Sequence, residues 1–65
     1  MKTTTCINNY INGNLTDAKR QAKQMSCSSI YFALQNDYGK SWEVAFAITA
    51  YLKGRITFQA ACDAE

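Results

Sequence analysis

The chain has 65 residues, of which 48% are hydrophobic and 12% are aromatic, and its formal net charge is +2. This content of large apolar side chains excludes a permanently disordered chain, and the length has room for one domain, which we expect to span residues 1–65. The charge is too small to predict a nucleic-acid-binding protein, since such domains usually present a strongly basic face.

The first predicted element, residues 3–12, fits two kinds of structure. Its apolar side chains recur at steps of three and four residues, which is the spacing of one helical face: Cys6, Ile7, Tyr10 and Ile11. Threonine, isoleucine and tyrosine also favour strands, and residues 3–5 are three β-branched threonines. The sequence therefore predicts a short helix here, with a short N-terminal strand as the alternative.

A turn at residues 12–14 precedes the second predicted helix. Gly13 can adopt the left-handed backbone conformation that ends many helices, and Asn14 or Thr16 can accept hydrogen bonds from the first N–H groups of the next helix. The apolar stripe of this second helix is Leu15, Ala18, Ala22 and Met25. Its other positions are mostly polar or basic, so we expect an amphipathic surface helix.

Three further helices are predicted between residues 26 and 65. A serine cluster can cap the third helix, whose apolar stripe is Cys27, Ile30, Tyr31, Leu34 and Tyr38. Gly39 ends it, and Ser41 caps a fourth helix that is apolar round most of its circumference. Gly54 and Thr57 mark the turn to a short fifth helix. We therefore expect an all-α fold, a compact bundle of four or five short helices with the fourth at its centre.

Residue types that catalyse reactions or hold metals are sparse in this chain. It has no His, the usual general base, and its three cysteines, Cys6, Cys27 and Cys62, are far from the close pairs that bind zinc. Residues 39–41 read Gly-Lys-Ser but lack the earlier glycine and the strand of a phosphate-binding loop. We therefore expect no enzymatic activity, no cofactor and no metal site.

The cellular location is predicted from the cysteines and from the apolar runs. An odd number of widely spaced cysteines favours free thiols in a reducing compartment. The N-terminal residues lack the apolar run of a signal peptide. The longest apolar run, residues 44–48, is far shorter than the ~20 residues that span a bilayer. We expect a cytoplasmic protein with no membrane association.

Candidate binding residues lie on the fourth helix. The aromatic residues Trp42, Phe46 and Tyr51 cannot all share one helical face with the aliphatic residues there, so some of them are expected to remain uncovered, unless all are core. Uncovered aromatic side chains are common anchors at protein interfaces. We predict that these three residues form an aromatic patch that binds a partner protein or a second copy of the chain.

Two groups of basic residues favour a DNA-binding alternative. Lys19, Arg20 and Lys23 lie close together on the second helix and could contact a nucleic-acid backbone or an acidic protein, although a solvated helix face is the favoured explanation. The last two helices could form a helix-turn-helix with Lys53 and Arg55 in its turn. The last helix, however, has no Lys or Arg and ends with acidic residues.

The C-terminal part of the chain has a recognisable pattern. It reads Tyr51-Leu52-Lys53-Gly54-Arg55, followed by Phe58-Gln59-Ala60-Ala61-Cys62. This pattern resembles the endings of short accessory proteins of temperate bacteriophages and bacterial plasmids. The resemblance implies a small non-catalytic module that binds and modulates or inhibits a host or viral protein. The alternatives are a helix-turn-helix-like DNA-binding regulator that acts as a dimer, and a purely structural homodimer subunit.

Overall fold

Five α-helices joined by short turns make up the computed structural model, which describes residues 2–65. The helices are α1 (Lys2–Ile11), α2 (Leu15–Ala22), α3 (Cys27–Asn36), α4 (Trp42–Leu52) and α5 (Phe58–Ala64). Residues 2–65 contain no strand, so the predicted all-α bundle is confirmed and the N-terminal segment is a helix, not a strand. No helix in this range is long and apolar enough to cross a membrane.

Three helices begin at hydroxyl side chains that the sequence predicted as caps. Ser26 Oγ, Ser41 Oγ and Thr57 Oγ1 each accept a hydrogen bond from the backbone N–H three residues further on, at 3.1, 3.4 and 3.2 Å. A cap of this kind stabilises a helix start by about 1 kcal/mol. At the start of α2 the prediction is wrong, because the Asn14 side chain makes no cap hydrogen bond and Thr16 lies inside the helix.

Gly54 closes the turn after α4. Its φ of +77° lies in the left-handed region, where a side chain would be strained. The Gly54 N–H donates to the carbonyl of Tyr51, and the Arg55 N–H donates to the carbonyl of Ala50, both at 2.9 Å. These two hydrogen bonds form a Schellman motif, which ends the helix and turns the chain back beside it. The motif positions Arg55 and Ile56 next to α4.

The core forms where α4 meets the other helices. Helix α4 packs against α2, α3 and α5, while α1 packs against α2 and α3. The buried apolar cluster between them consists of Cys6, Ile7, Tyr10, Ala18, Ala22, Ile30, Leu34, Ala45, Ile48, Tyr51, Leu52 and Ala61. The predicted stripes of α1, α2 and α3 supply the first seven of these side chains. The other stripe residues are partly buried, except Ile11, which is 54% exposed and so differs most from the prediction.

Cys6 joins α1 to α2. Its thiol is fully buried and donates a hydrogen bond to the carbonyl of Ala18 at 3.1 Å. Burial raises the pKa of the Cys6 thiol, and the positive charge of Lys53 offsets part of that rise. Cys27 is half-buried and Cys62 is exposed, and all three cysteines are free thiols, as the sequence predicted. Cys6 therefore acts as a small apolar side chain of the core.

Candidate functional site

Two large aromatic side chains on α4 extend into solvent. Trp42 is 61% exposed and Phe46 is 64% exposed, which makes them the most exposed large hydrophobic side chains in residues 2–65. They lie four residues apart, about one helical turn, and therefore occupy the same side of α4. We call this pair the aromatic face.

Tyr51 was predicted to belong to the same patch, and that prediction is wrong. Its side chain is 5% exposed, and its ring centroid lies 5.9 Å from that of Tyr10 and 5.5 Å from that of Phe58. Five residues along a helix rotate the side chain by about 140°, so Tyr51 is directed away from the side of Phe46. The sequence did contain this signal, because Tyr51 follows the aliphatic Ile48 by three residues and shares its face.

An apolar groove adjoins the aromatic face. It lies between α3, α4 and the turn after α4, and its volume is about 350 Å³. Its lining consists of Cys27, Ser28, Tyr31, Phe46, Thr49, Ala50, Lys53, Arg55 and Ile56. Because Phe46 belongs to both features, the groove and the aromatic face form one continuous surface, which we call the α3–α4 surface.

The sequence did not indicate the far wall of this groove. Cys27 and Tyr31 were predicted as part of the apolar stripe of α3, but they are half-buried and line the groove. Ile56, in the turn after α4, had no predicted role. The apolar stripe of α3 is wider than the surface that α1 and α4 cover, and that width was the available signal that part of the stripe stays open.

The two basic residues of the turn have different roles. Lys53 Nζ donates hydrogen bonds to the backbone carbonyls of Ala22, at 2.6 Å, and Met25. Lys53 therefore ties the turn after α4 to the end of α2, and its amine is occupied within the protein. Arg55 is exposed at the groove, and it forms no ion pair with any other residue of the range 2–65.

The predicted basic patch of α2 is partly engaged within the protein. Lys19 Nζ lies 5.1 Å from the ring centroid of Tyr51, which is a cation–π distance. Arg20 forms an ion pair with Asp17 at 2.7 Å on the exposed side of the helix. Lys23 is exposed. Two of the three predicted basic side chains therefore already have a partner inside the chain.

The last two helices are connected like a helix-turn-helix, but the second of them lacks the basic residues that a DNA-binding helix usually has. Helix α4 packs against α5, and the two are joined by a turn that contains Gly54. Helix α5 contains no Lys or Arg, and Asp63 and Glu65 at its end are exposed. Carboxylates at this position would repel the phosphates of a DNA duplex.

A smaller depression lies beside Tyr10. It has a volume of about 250 Å³ and is lined by Tyr10, Ile11, Lys40, Phe58 and Glu65. Tyr10 is 8% exposed, and its hydroxyl has no hydrogen-bond partner within residues 2–65. Burial, with a smaller contribution from the negative charge of Glu65, raises the pKa of Tyr10 to about 12. Its phenol is therefore neutral at physiological pH.

The chain was compared with family models, curated proteins and solved structures, and no significant match was found. Within residues 2–65, no three Cys, Asp or Glu side chains come close enough together to hold a metal ion.

Proposed function

We propose that this chain is a non-catalytic protein-interaction module that binds a host or viral protein through the α3–α4 surface and modulates or inhibits it. The supporting observation is the exposure of Trp42 and Phe46, at 61% and 64%, beside an apolar groove. Exposed apolar patches of this kind commonly mark association sites, and Trp is among the residues that contribute most to binding energy. The resemblance of the C-terminal segment to phage and plasmid accessory proteins supports the same class of partner.

The charge distribution favours a protein partner over DNA. Affinity for DNA comes largely from Lys and Arg side chains that neutralise phosphates. Arg20 pairs with a carboxylate, and α5 has no Lys or Arg, while the carboxylates of Asp63 and Glu65 at its end are exposed. A DNA-binding dimer is therefore the weaker candidate, and the following experiment separates the two.

Affinity capture from a nuclease-treated bacterial lysate tests the proposal, with quantitative mass spectrometry of the eluates. The bait proteins are the wild type, the double variant Trp42→Ala/Phe46→Ala, and Ile11→Ala as a control. Ile11 is 54% exposed but lies on α1 and lines a different depression. We expect the wild type and the control to retain the same protein, and the double variant to retain at least about tenfold less of it.

A folding check accompanies the capture. Circular dichroism and cooperative urea unfolding of the double variant distinguish loss of a contact from loss of the fold. Capture at the wild-type level by a folded double variant contradicts the proposal. Recovery of nucleic acid alone, and only when nuclease is omitted, supports the DNA-binding dimer instead.

A further inference from the structure

We infer that the groove of the α3–α4 surface receives an acidic amphipathic helix of the partner protein. One large apolar side chain of that helix enters between α3 and α4, and a neighbouring carboxylate pairs with Arg55. This inference rests on the proposed function and specifies the chemistry of the partner segment.

The groove is large enough to receive one large side chain, and its lining is mainly apolar. Its volume of about 350 Å³ lies at the lower end of the ~300–1,000 Å³ of small-molecule sites. Its aromatic lining residues are Tyr31 of α3 and Phe46 of α4, and the short side chains of Thr49 and Ala50 line it as well. The Thr49 hydroxyl donates to the carbonyl of Ala45 at 2.7 Å, so it is already bonded within α4. The groove therefore offers mainly apolar contacts.

The positive charges in the groove lining favour Asp or Glu residues next to the apolar side chain that enters the groove. The lining residues include two cations, Lys53 and Arg55, and no carboxylate. The carbonyls that bind Lys53 are neutral, so they do not cancel its positive charge. The exposed guanidinium of Arg55 can form a charge-assisted, bidentate hydrogen-bond pair with a carboxylate. A Lys or Arg at the same place would be repelled.

The aromatic face extends the contact along α4. Trp42 lies one turn before Phe46, so the apolar strip continues about 6 Å beyond the groove. Helices that bind in grooves present apolar anchors at intervals of three or four residues. A helix lying along this strip can therefore place one anchor in the groove and the next one against Trp42.

Selection from a random peptide library displayed on phage tests this inference, with three bait proteins. The baits are the wild type, Arg55→Glu, and Lys23→Glu, which makes the same charge change on an exposed residue outside the groove lining. We expect wild-type and Lys23→Glu baits to enrich peptides with a large apolar residue within one turn of Asp or Glu. We expect Arg55→Glu to enrich peptides with Lys or Arg at that position.

Fluorescence anisotropy then measures the affinity of the consensus peptide for the same three proteins and for Phe46→Ala. The affinity should fall about tenfold for Arg55→Glu and by less than about twofold for Lys23→Glu, because one charge-assisted hydrogen bond contributes about 1.5 kcal/mol or more. It should also fall for Phe46→Ala. Peptides without acidic enrichment, equal effects of the two charge changes, or no enriched peptide would overturn the inference.

Failure of the acidic-helix inference can be distinguished from failure of the proposed function. If Arg55→Glu captures the lysate protein as well as the wild type does, while Trp42→Ala/Phe46→Ala loses it, the acidic-helix inference fails and the interaction module stands. If a consensus peptide proves to match the chain itself and light scattering shows a wild-type dimer, the partner is a second copy and the inference also fails.

Discussion

Helix α4 presents aromatic side chains to two different surroundings. On one side, Tyr51 contacts the rings of Tyr10 and Phe58, which joins α1, α4 and α5 in what we call the aromatic cluster. On the other side, the exposed Trp42 and Phe46 border the groove. The type of residue does not explain this difference, because Tyr is the most polar of these side chains and yet it is buried. The positions of α1 and α5 explain it.

If the proposed function is right, α4 has one side that stabilises the fold and another that binds a partner. Burying a large side chain stabilises a fold by roughly 1.5–3 kcal/mol, so the aromatic cluster contributes directly to stability. The aromatic face contributes little of this kind and stays available to a partner. Substitutions on the two sides should therefore separate the free energy of unfolding from binding.

The largest expected effect is that of Tyr51→Ala in the aromatic cluster. Removal of a buried aromatic ring typically costs about 3–5 kcal/mol, and this loss could leave so small a domain unfolded. Phe46→Ala, on the exposed side of the same helix, should lower the free energy of unfolding by less than about 1 kcal/mol. Urea unfolding followed by circular dichroism measures both. Equal losses would show that Phe46 also stabilises the fold, and this separation of the two sides of α4 would then be wrong.

The second largest effect on the free energy of unfolding is expected at Lys53, whose side chain lines the groove and whose amine forms hydrogen bonds at the end of α2. Lys53→Met keeps the apolar stem and removes the hydrogen bonds to Ala22 and Met25. Hydrogen bonds to a charged group contribute about 1.5–3 kcal/mol, so the free energy of unfolding should fall by an amount in this range. Arg55→Met, two residues away and exposed, should change it by no more than about 0.5 kcal/mol. Thermal unfolding of the two variants and the wild type measures this difference. A Lys53→Met protein as stable as the wild type would contradict the prediction.

The smallest effect is expected for Tyr10→Phe within the aromatic cluster. The ring contacts to Tyr51 and Phe58 are kept, and only a buried hydroxyl without a partner in residues 2–65 is removed. Because an unsatisfied buried hydroxyl costs about 1 kcal/mol or more, this variant should be more stable than the wild type by about 1 kcal/mol at neutral pH. Lower stability would indicate that water or a further partner bonds the hydroxyl.

Alkaline pH gives an independent test of the same group. The pKa of Tyr10 is raised to about 12 in the folded protein, against an ordinary value of about 10. Between these two values the unfolded chain releases the phenol proton before the folded chain does, so stability falls as the pH rises. The free energy of unfolding is measured against pH for the wild type and for Tyr10→Phe, and subtraction of the two profiles removes the contributions of lysines and other tyrosines. The difference in free energy should be constant below pH of about 10 and should decline above it.

Local signals predicted most of the fold. The hydroxyl caps at Ser26, Ser41 and Thr57 bond to N–H groups three residues away, and Gly54 ends α4 through its own backbone conformation. These effects depend on neighbouring residues only, so the sequence contains them completely. Asn14 shows the limit, because its side-chain amide donates to the Asn9 side chain of the preceding helix at 3.5 Å and makes no cap hydrogen bond.

The candidate site was predicted only in part. Exposure of Trp42 and Phe46 followed from the excess of apolar residues round α4, since a chain of this size cannot cover every side of a helix. Tyr51 was misplaced, and the groove residues Cys27, Tyr31 and Ile56 were not foreseen as a site. Their arrangement requires knowing the angle at which α3 crosses α4 and where the turn after α4 returns.

The amino-acid sequence by itself determined the helical bundle, the capped starts of α3, α4 and α5, and most of the apolar stripes that form the core, because periodicity and capping act over a few residues. Tertiary structure alone decided that Lys53 bonds to the end of α2, that Lys19 lies over Tyr51, and that Arg55 remains exposed beside the groove. The contacts of Lys53 and Lys19 each join residues far apart in the chain. Which side of α4 is buried and which is open depends on where the other helices pack, and packing optimises the whole core rather than any one segment.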